Sequence, residues 1–600
     1  MNRWKLAVLV LPVLAACGGG GGEGADAGTT SVMSLKVPAG SADPETGGVL
    51  MSGGSLATTT ATSTTTTGTS TVAVQASAGA SVNPGKPSLL DGLLAGLLPA
   101  GGNLGQILDP SAAANPAVPK PESCDEGDNP EKGQQGQTSV AERFNGANKV
   151  ARSCNLKLVG QYQGEGTTWY STAYTHTDGP NKGVGCKYFG TASAGINFKK
   201  SQGVQVVDAT DPTNPKLATN LASPAFYRGT WETLKVNEKR KLLAGVGVNF
   251  GYDSLAFDVY DISDDCRKPK LLNSFLGSSR VSKPANILGH EGNWAPDGMT
   301  YYSTGLFTGS LNAIDVSDPK SPRSIYFGTS IISNHGFNLS DDGNRMYLSM
   351  AFPAGILILD TSDIQARKPF PVVKQVGSLF WNALGLGQMT IPVKYGDKPY
   401  LIAVDELAAE GVRIIDIADE TKPRTVSHIQ LEAMLPKNAK TRREEINGNG
   451  WFGYEAHYCR ADNKVNPTAL ACGFLQSGVR VFDIRNPAKP REIAYFNPAS
   501  QMDKPREALA GSEHAWGIIG GAPTNLSEAG NKDLSTILRT TALRSNLTTD
   551  FCSSSGFFMG PSKKTGRQQL WVTCQDNGAL FLEFTNNAYP LAGSTVGAGE

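Results

Sequence analysis

No stretch of the 600 residues holds the run of about 18 apolar residues that a membrane-spanning helix needs, so the chain does not cross a bilayer by that route. Neither sign of charge is in excess. Lys and Arg number 54 against 54 Asp and Glu, with no basic tract, which excludes a nucleic-acid polyanion as partner. The chain has no P-loop, no dinucleotide fingerprint and no G-x-S-x-G elbow. The HExxH zinc motif fails, because His290-Glu291 is followed by Gly-Asn-Trp-Ala. There is no CxxC pair to suggest a zinc knuckle, and there are only six histidines. What is present is a 40% hydrophobic fraction, enough for a core, with 69 Gly and 35 Pro, a composition that suits many short strands joined by turns.

The amino terminus carries an export pattern. Arg3 and Lys5 precede a short apolar run, Leu6 to Ala16, which ends in Leu14-Ala15-Ala16-Cys17 and five glycines. This resembles the lipobox of bacterial lipoproteins. The resemblance implies a signal peptide at 1–16, acylation of Cys17 and a lipid-anchored envelope protein, in the outer membrane if the host is Gram-negative. Residues 17–130 are rich in Gly, Ala, Ser and Thr and read as a disordered tether. A short amphipathic turn is conceivable over Leu89–Leu98 within it. Beyond Cys17 the cysteines number eight, an even count that suits disulfides in an oxidising compartment. Cys459 with Cys472 and Cys552 with Cys574 are spaced to staple neighbouring strands.

From about residue 150 to 590 the chain repeats itself. One phrase recurs as GVQVVDATDPTNPK from Gly203, LAFDVYDISDDCRKPK from Leu255, GSLNAIDVSDPKSPR from Gly309, GILILDTSDIQARKP from Gly355, GVRIIDIADETKPR from Gly411 and GVRVFDIRNPAKPR from Gly478. A seventh copy, GALFLEFTNNAYP from Gly578, is degraded. Each reads as a strand, a turn braced by an aspartate and a second strand after proline, with Asp208, Asp261, Asp315, Asp360, Asp416 and Asp483 as the braces. Upstream, HEGNWAPDGMTYYST from His290 and HGFNLSDDGNRMYLSM from His335 are hairpins, and WETLKVNEKRKLLAGV from Trp231 is a looser version. Together they make four strands per unit.

The phrase resembles the LVIVD repeat of bacterial extracytoplasmic β-propellers. The resemblance implies an all-β fold, a seven-bladed propeller of four-stranded blades. Residues 155–162 (NLKLVGQY) resemble the outer strands that follow each proline, so they are expected to complete the last blade.

Histidine placement is the sharpest functional signal. His290 precedes Asp315 by 25 residues, His335 precedes Asp360 by 25 and His457 precedes Asp483 by 26, so three blades carry His at the start of the inner strand, on the rim of the channel. His514 opens the last unit in similar style, ahead of a long insertion between Ala515 and Phe551. Such imidazoles either hydrogen-bond the neighbouring backbone or hold a transition metal, copper or zinc. Copper-dependent methanethiol oxidases are an architectural parallel, being propellers whose channel histidines bind metal. Trp231, Trp294, Trp381, Trp451 and Trp516 fall near inner-strand starts and are expected to pave the same mouth.

Two functions fit. One is a noncatalytic, monomeric module that binds a protein, a glycan or a metal ion at its loop-bearing face. The alternative is a metal-dependent oxidoreductase or hydrolase with His290, His335, His457 and His514 as ligands and Glu291 or Glu513 as acid or base.

Overall fold

A computed structural model of the chain describes residues 116–594 except 193–198, 228, 249–255, 274–284, 307, 331–332, 383–384, 408–409, 447–451 and 517–547. The signal, Cys17, the Leu89–Leu98 segment, Trp451 and most of the insertion lie outside the described residues.

Alternating β-branched residues and turn-formers give seven antiparallel sheets, the blades of a seven-bladed β-propeller. They span 171–221, 235–271, 291–329, 334–382, 387–429, 459–497 and 557–584. In blade one the strands run Ser171–Thr175, Gly185–Gly190, Val204–Asp208 and Lys216–Leu221, from hub to rim. The expected clasp is present. Leu156–Tyr162 pairs antiparallel with Gly578–Phe584, from Leu156 opposite Phe584 to Tyr162 opposite Ala579, so the last blade takes its outer strand from the start of the fold. Blade six gains an unforeseen fifth strand, Arg152–Cys154, beside Arg491–Asn497.

All six repeat aspartates brace their turns. Each accepts the backbone N–H two residues on, at 2.8–3.1 Å, which closes the turn with a side-chain oxygen. In five blades the pairing register slips just ahead of that aspartate, a bulge that adds twist as the strand leaves the hub. The seventh blade slips at the same place, between Leu158 and Gly160 of its outer strand, with Glu583 in place of the aspartate.

Blade faces bury apolar side chains against their neighbours. Between blades one and seven, Ala173, Phe189 and Val207 meet Phe557, Trp571 and Phe581. Each such large side chain, fully buried, contributes about 1.5–3 kcal/mol. The seams are tight at two outer-strand glycines in equivalent places. A Cβ on Gly160 would stand 1.9 Å from the Pro212 carbonyl oxygen, and one on Gly377 would stand 1.9 Å from that of Glu420. In each case the aspartate turn of the next blade docks where a side chain would be.

Both expected disulfides form, and two more join them. Cys459–Cys472 and Cys552–Cys574 are as expected, Cys186–Cys266 links blades one and two, and Cys124–Cys154 ties the amino-terminal segment to the extra strand of blade six. The folded part begins earlier than the expected tether boundary at 130. The Val118 N–H donates to the Gln430 carbonyl, the Glu492 N–H donates to that of Pro119, and Glu131 pairs with the buried Arg480. The segment ends in a short helix, Val140–Asn145, started by a Ser139–Glu142 capping box.

Candidate metal centre

The inner strands all start at the hub, so the residues just before or at their starts face one another there. Glu232 stands three residues ahead of the inner strand of blade two, His290 one residue ahead of that of blade three and His457 two residues ahead of that of blade six. His335 is the second residue of Asn334–Leu339 in blade four, and Glu406 follows Lys398–Asp405 in blade five. All five are buried.

Their polar tips converge. Glu232 Oε2 lies 3.2 Å from His290 Nε2 and 3.4 Å from His335 Nε2, while Glu232 Oε1 lies 3.1 Å from His457 Nε2. Glu406 stands 3.6 Å from His335 Nε2 and 3.3 Å from His457 Nε2. Tetrahedral ligands on bonds of about 2.0–2.1 Å sit about 3.3–3.4 Å apart, so this spacing suits donors around a common centre. Two of the rings are oriented from behind. His335 Nδ1 donates to the Gln388 carbonyl and His457 Nδ1 donates to that of Ser553, both at 3.1 Å, which turns each Nε2 toward the centre. Gln388 Nε2 in turn donates to Glu232 Oε1 at 3.0 Å.

Close approach here is not ordinary hydrogen bonding. His457 Nε2 and Glu232 Oε2 are buried and make no hydrogen bond of acceptable geometry, although each lies within 3.5 Å of the opposing groups. The field at the centre favours positive charge. Burial opposes ionisation of Glu232, yet His335, His290 and His457 outweigh it and hold the carboxyl well below its ordinary range. Burial disfavours the imidazolium of His457, and the adjacent carboxylates of Glu232 and Glu406 outweigh that, lifting it to about 9. For His335 burial prevails and the pKa falls. Three imidazoles and two carboxylates, with no thiolate, suit a divalent first-row ion, whose charge the carboxylates balance. Indoles wall the cluster: Trp169 stacks on His457 at 5.0 Å and Trp231 lies 6.0 Å from His290.

Three of the four expected histidines are thus together, and the fourth is not. His514 sits on the short helix Glu513–Trp516, before the insertion, and its Nδ1 meets Asp576 Oδ2 at 2.7 Å. The inner strand of blade seven starts only after the insertion, at Phe557, so the hub position goes to the 553–555 stretch instead. Asp550, which forms a second imidazole–carboxylate group with His514 and Asp576, accepts N–H bonds from Phe551, Asp576 and Asn577 and ties the end of the insertion to the blade-seven hairpin. Glu513 is buried beside Thr167, to whose carbonyl its N–H donates, and does not reach the hub cluster. Glu291 is close to the hub but engaged. It pairs with Lys235 at 3.1 Å and accepts the Tyr458 hydroxyl. Burial raises its carboxyl to about 7. Trp381 lies on the outer strand of blade four against Arg413, and Trp516 covers Arg506, so neither paves the channel mouth.

Glu232 and Glu406 were not foreseen. Glu232 follows Trp231 in the loosest copy of the hairpin phrase, and its β-bridge to Glu291 shows that the copy keeps register. Glu406 comes from a loop between the second and third strands, where no repeat position marks it.

On one side of the cluster the channel opens into a cavity of about 970 Å³, lined from all seven inner-strand regions, with Tyr170, Lys235, Glu291 and Tyr458 nearest the ligands.

No family model matches the chain, and no curated protein matches it. Similar solved structures include a candidate 6-phosphogluconolactonase from Bacteroides fragilis NCTC 9343, with 10% identity over 67% of this chain and 94% of its own and a TM-score of 0.39. Another, from Bacteroides uniformis ATCC 8492, shows 11% identity over 52% of this chain and 82% of its own, with a TM-score of 0.38. A Lactobacillus plantarum protein shows 12% identity over 52% of this chain and 84% of its own, with a TM-score of 0.37. At that level the likeness identifies no activity.

Proposed function

We propose that the chain is a lipid-anchored envelope propeller of the LVIVD-repeat kind that binds one divalent transition-metal ion, zinc or copper, at its hub. The observation that carries this reading is that Glu232 and Glu406 meet His290, His335 and His457 at carboxylate–imidazole distances of 3.1–3.6 Å, in two groups of three that share Glu232, with two rings pinned through Nδ1. Binding is preferred to catalysis because all five residues are buried and, among the described residues, none of them lines the cavity. The bound ion would join blades two to six at one point and present a fixed surface to an envelope partner, a protein or glycan.

Elemental mass spectrometry of the purified full-length chain tests this. About one ion per chain is expected, and none in the His335→Ala, His457→Ala double variant. No metal after reconstitution with zinc and with copper overturns it. Anchoring is tested separately: Cys17→Ala is expected to move the protein from the membrane fraction to the soluble one.

A further inference from the structure

The open cavity carries a cation without a counter-charge. Arg460, on the inner strand of blade six, lines it half-buried, and its side chain makes no hydrogen bond or ion pair among the described residues. Its guanidinium is held by the Phe557 ring of blade seven, 4.2 Å from the centroid. The acids around it are committed elsewhere. Asp462, two residues on, accepts the Thr468 and Ala469 N–H groups and the Tyr589 and Ser594 hydroxyls. Glu291 is taken by Lys235 and Asp178 by Lys241, at 2.7 Å, while Glu238 is exposed in its turn. A second amine, Lys187 of blade one, lies 4.0 Å from the same Phe557 ring, fully buried and without a hydrogen-bond partner. Burial and Arg460 hold that amine well below the ordinary lysine range.

A planar fork of five donors, left unmatched in a concave site of about 970 Å³, is the usual complement of a carboxylate or phosphate. We propose that the channel binds a small organic anion whose oxyanion head pairs with Arg460. The Asn293 and Asn338 amides, bonded to each other at 2.8 Å on the walls of blades three and four, offer polar contacts to the rest of the ligand. This site is distinct from the hub ligands and does not depend on a metal being there.

Isothermal titration of the full-length protein with inorganic phosphate and with succinate tests the proposal. At least one probe is expected to saturate a single site, and the one that does assigns the head group as phosphate or carboxylate. Arg460→Gln is expected to weaken it by about tenfold or more, with Arg460→Lys in between. Arginine-specific dicarbonyl labelling of the unmutated protein gives a readout that needs no variant: the binding probe is expected to protect Arg460. Failure of both probes to saturate, equal binding by Arg460→Gln, or labelling of Arg460 at an unchanged rate overturns the proposal. Binding that survives Arg460→Gln would place the anion on the hub ion instead.

Discussion

Glu232 of blade two and His457 of blade six, from blades that are not neighbours in the ring, meet at 3.1 Å inside the hub. One carboxylate thereby contacts imidazoles from three blades, since His290 and His335 share its other oxygen.

Glu232→Gln removes one of the two carboxylates of the proposed metal site, and with it half of the negative charge. Loss of even a supporting group around a metal costs about 10–100-fold in affinity, so the variant is expected to lose at least that much, read by competition with a calibrated chelator. The stability gained on adding metal to the parent protein should shrink in step.

The four disulfides close loops of very different length. Removing Cys186–Cys266, with a separation of 80 residues, is expected to cost about 4–5 kcal/mol, against about 3 kcal/mol for Cys459–Cys472, with a separation of 13. Guanidinium unfolding of the paired Cys→Ala variants would rank them. The reverse order would mean that the blade-one to blade-two seam holds without its bridge.

Acid should release the turn braces. Burial raises Asp315, Asp416 and Asp483, but hydrogen bonds and cations such as Arg323, Lys398 and Arg485 prevail, and each folded-state pKa lies below its ordinary value. A depressed carboxyl stabilises the fold above its unfolded pKa of about 3.9, and that contribution disappears as pH falls through the folded value. Asp416→Ala is therefore expected to cost about 1.5–3 kcal/mol at pH 7, with the gap from the parent closing below about pH 4. A gap independent of pH would show that the carboxylate charge is not what braces the turn.

Gly160→Ala and Gly377→Ala place a methyl group against a neighbouring backbone carbonyl. Each is expected to lower stability by about 1–3 kcal/mol, as overpacking does, measured by thermal unfolding. No change would mean that the aspartate turns of the adjacent blades move aside freely.

The blades were legible because strand alternation, the aspartate and the proline are local signals repeated in register, and the clasp because residues 155–162 copy an outer strand. The disulfide between Cys459 and Cys472 followed from the hairpin they share, where they lie directly opposite. The three hub histidines were legible because they occupy one repeat position. His514 obeyed the same pattern and failed, since the insertion separates it from the strand that would have aimed it inward. Glu406 was invisible for the opposite reason. It lies in a loop between strands, and only the stacking of blade five against blades four and six brings it to His335 and His457.

The last blade borrows Leu156–Tyr162 from the beginning of the fold and needs Gly578–Phe584 to receive it. Synthesis must therefore run almost to its end before the circle can shut. Until then an early strand waits with an unsatisfied edge, the kind of edge that invites association with other chains. A protein cut short before residue 578 would leave that edge open permanently, so small carboxy-terminal truncations should be far more damaging than their size suggests.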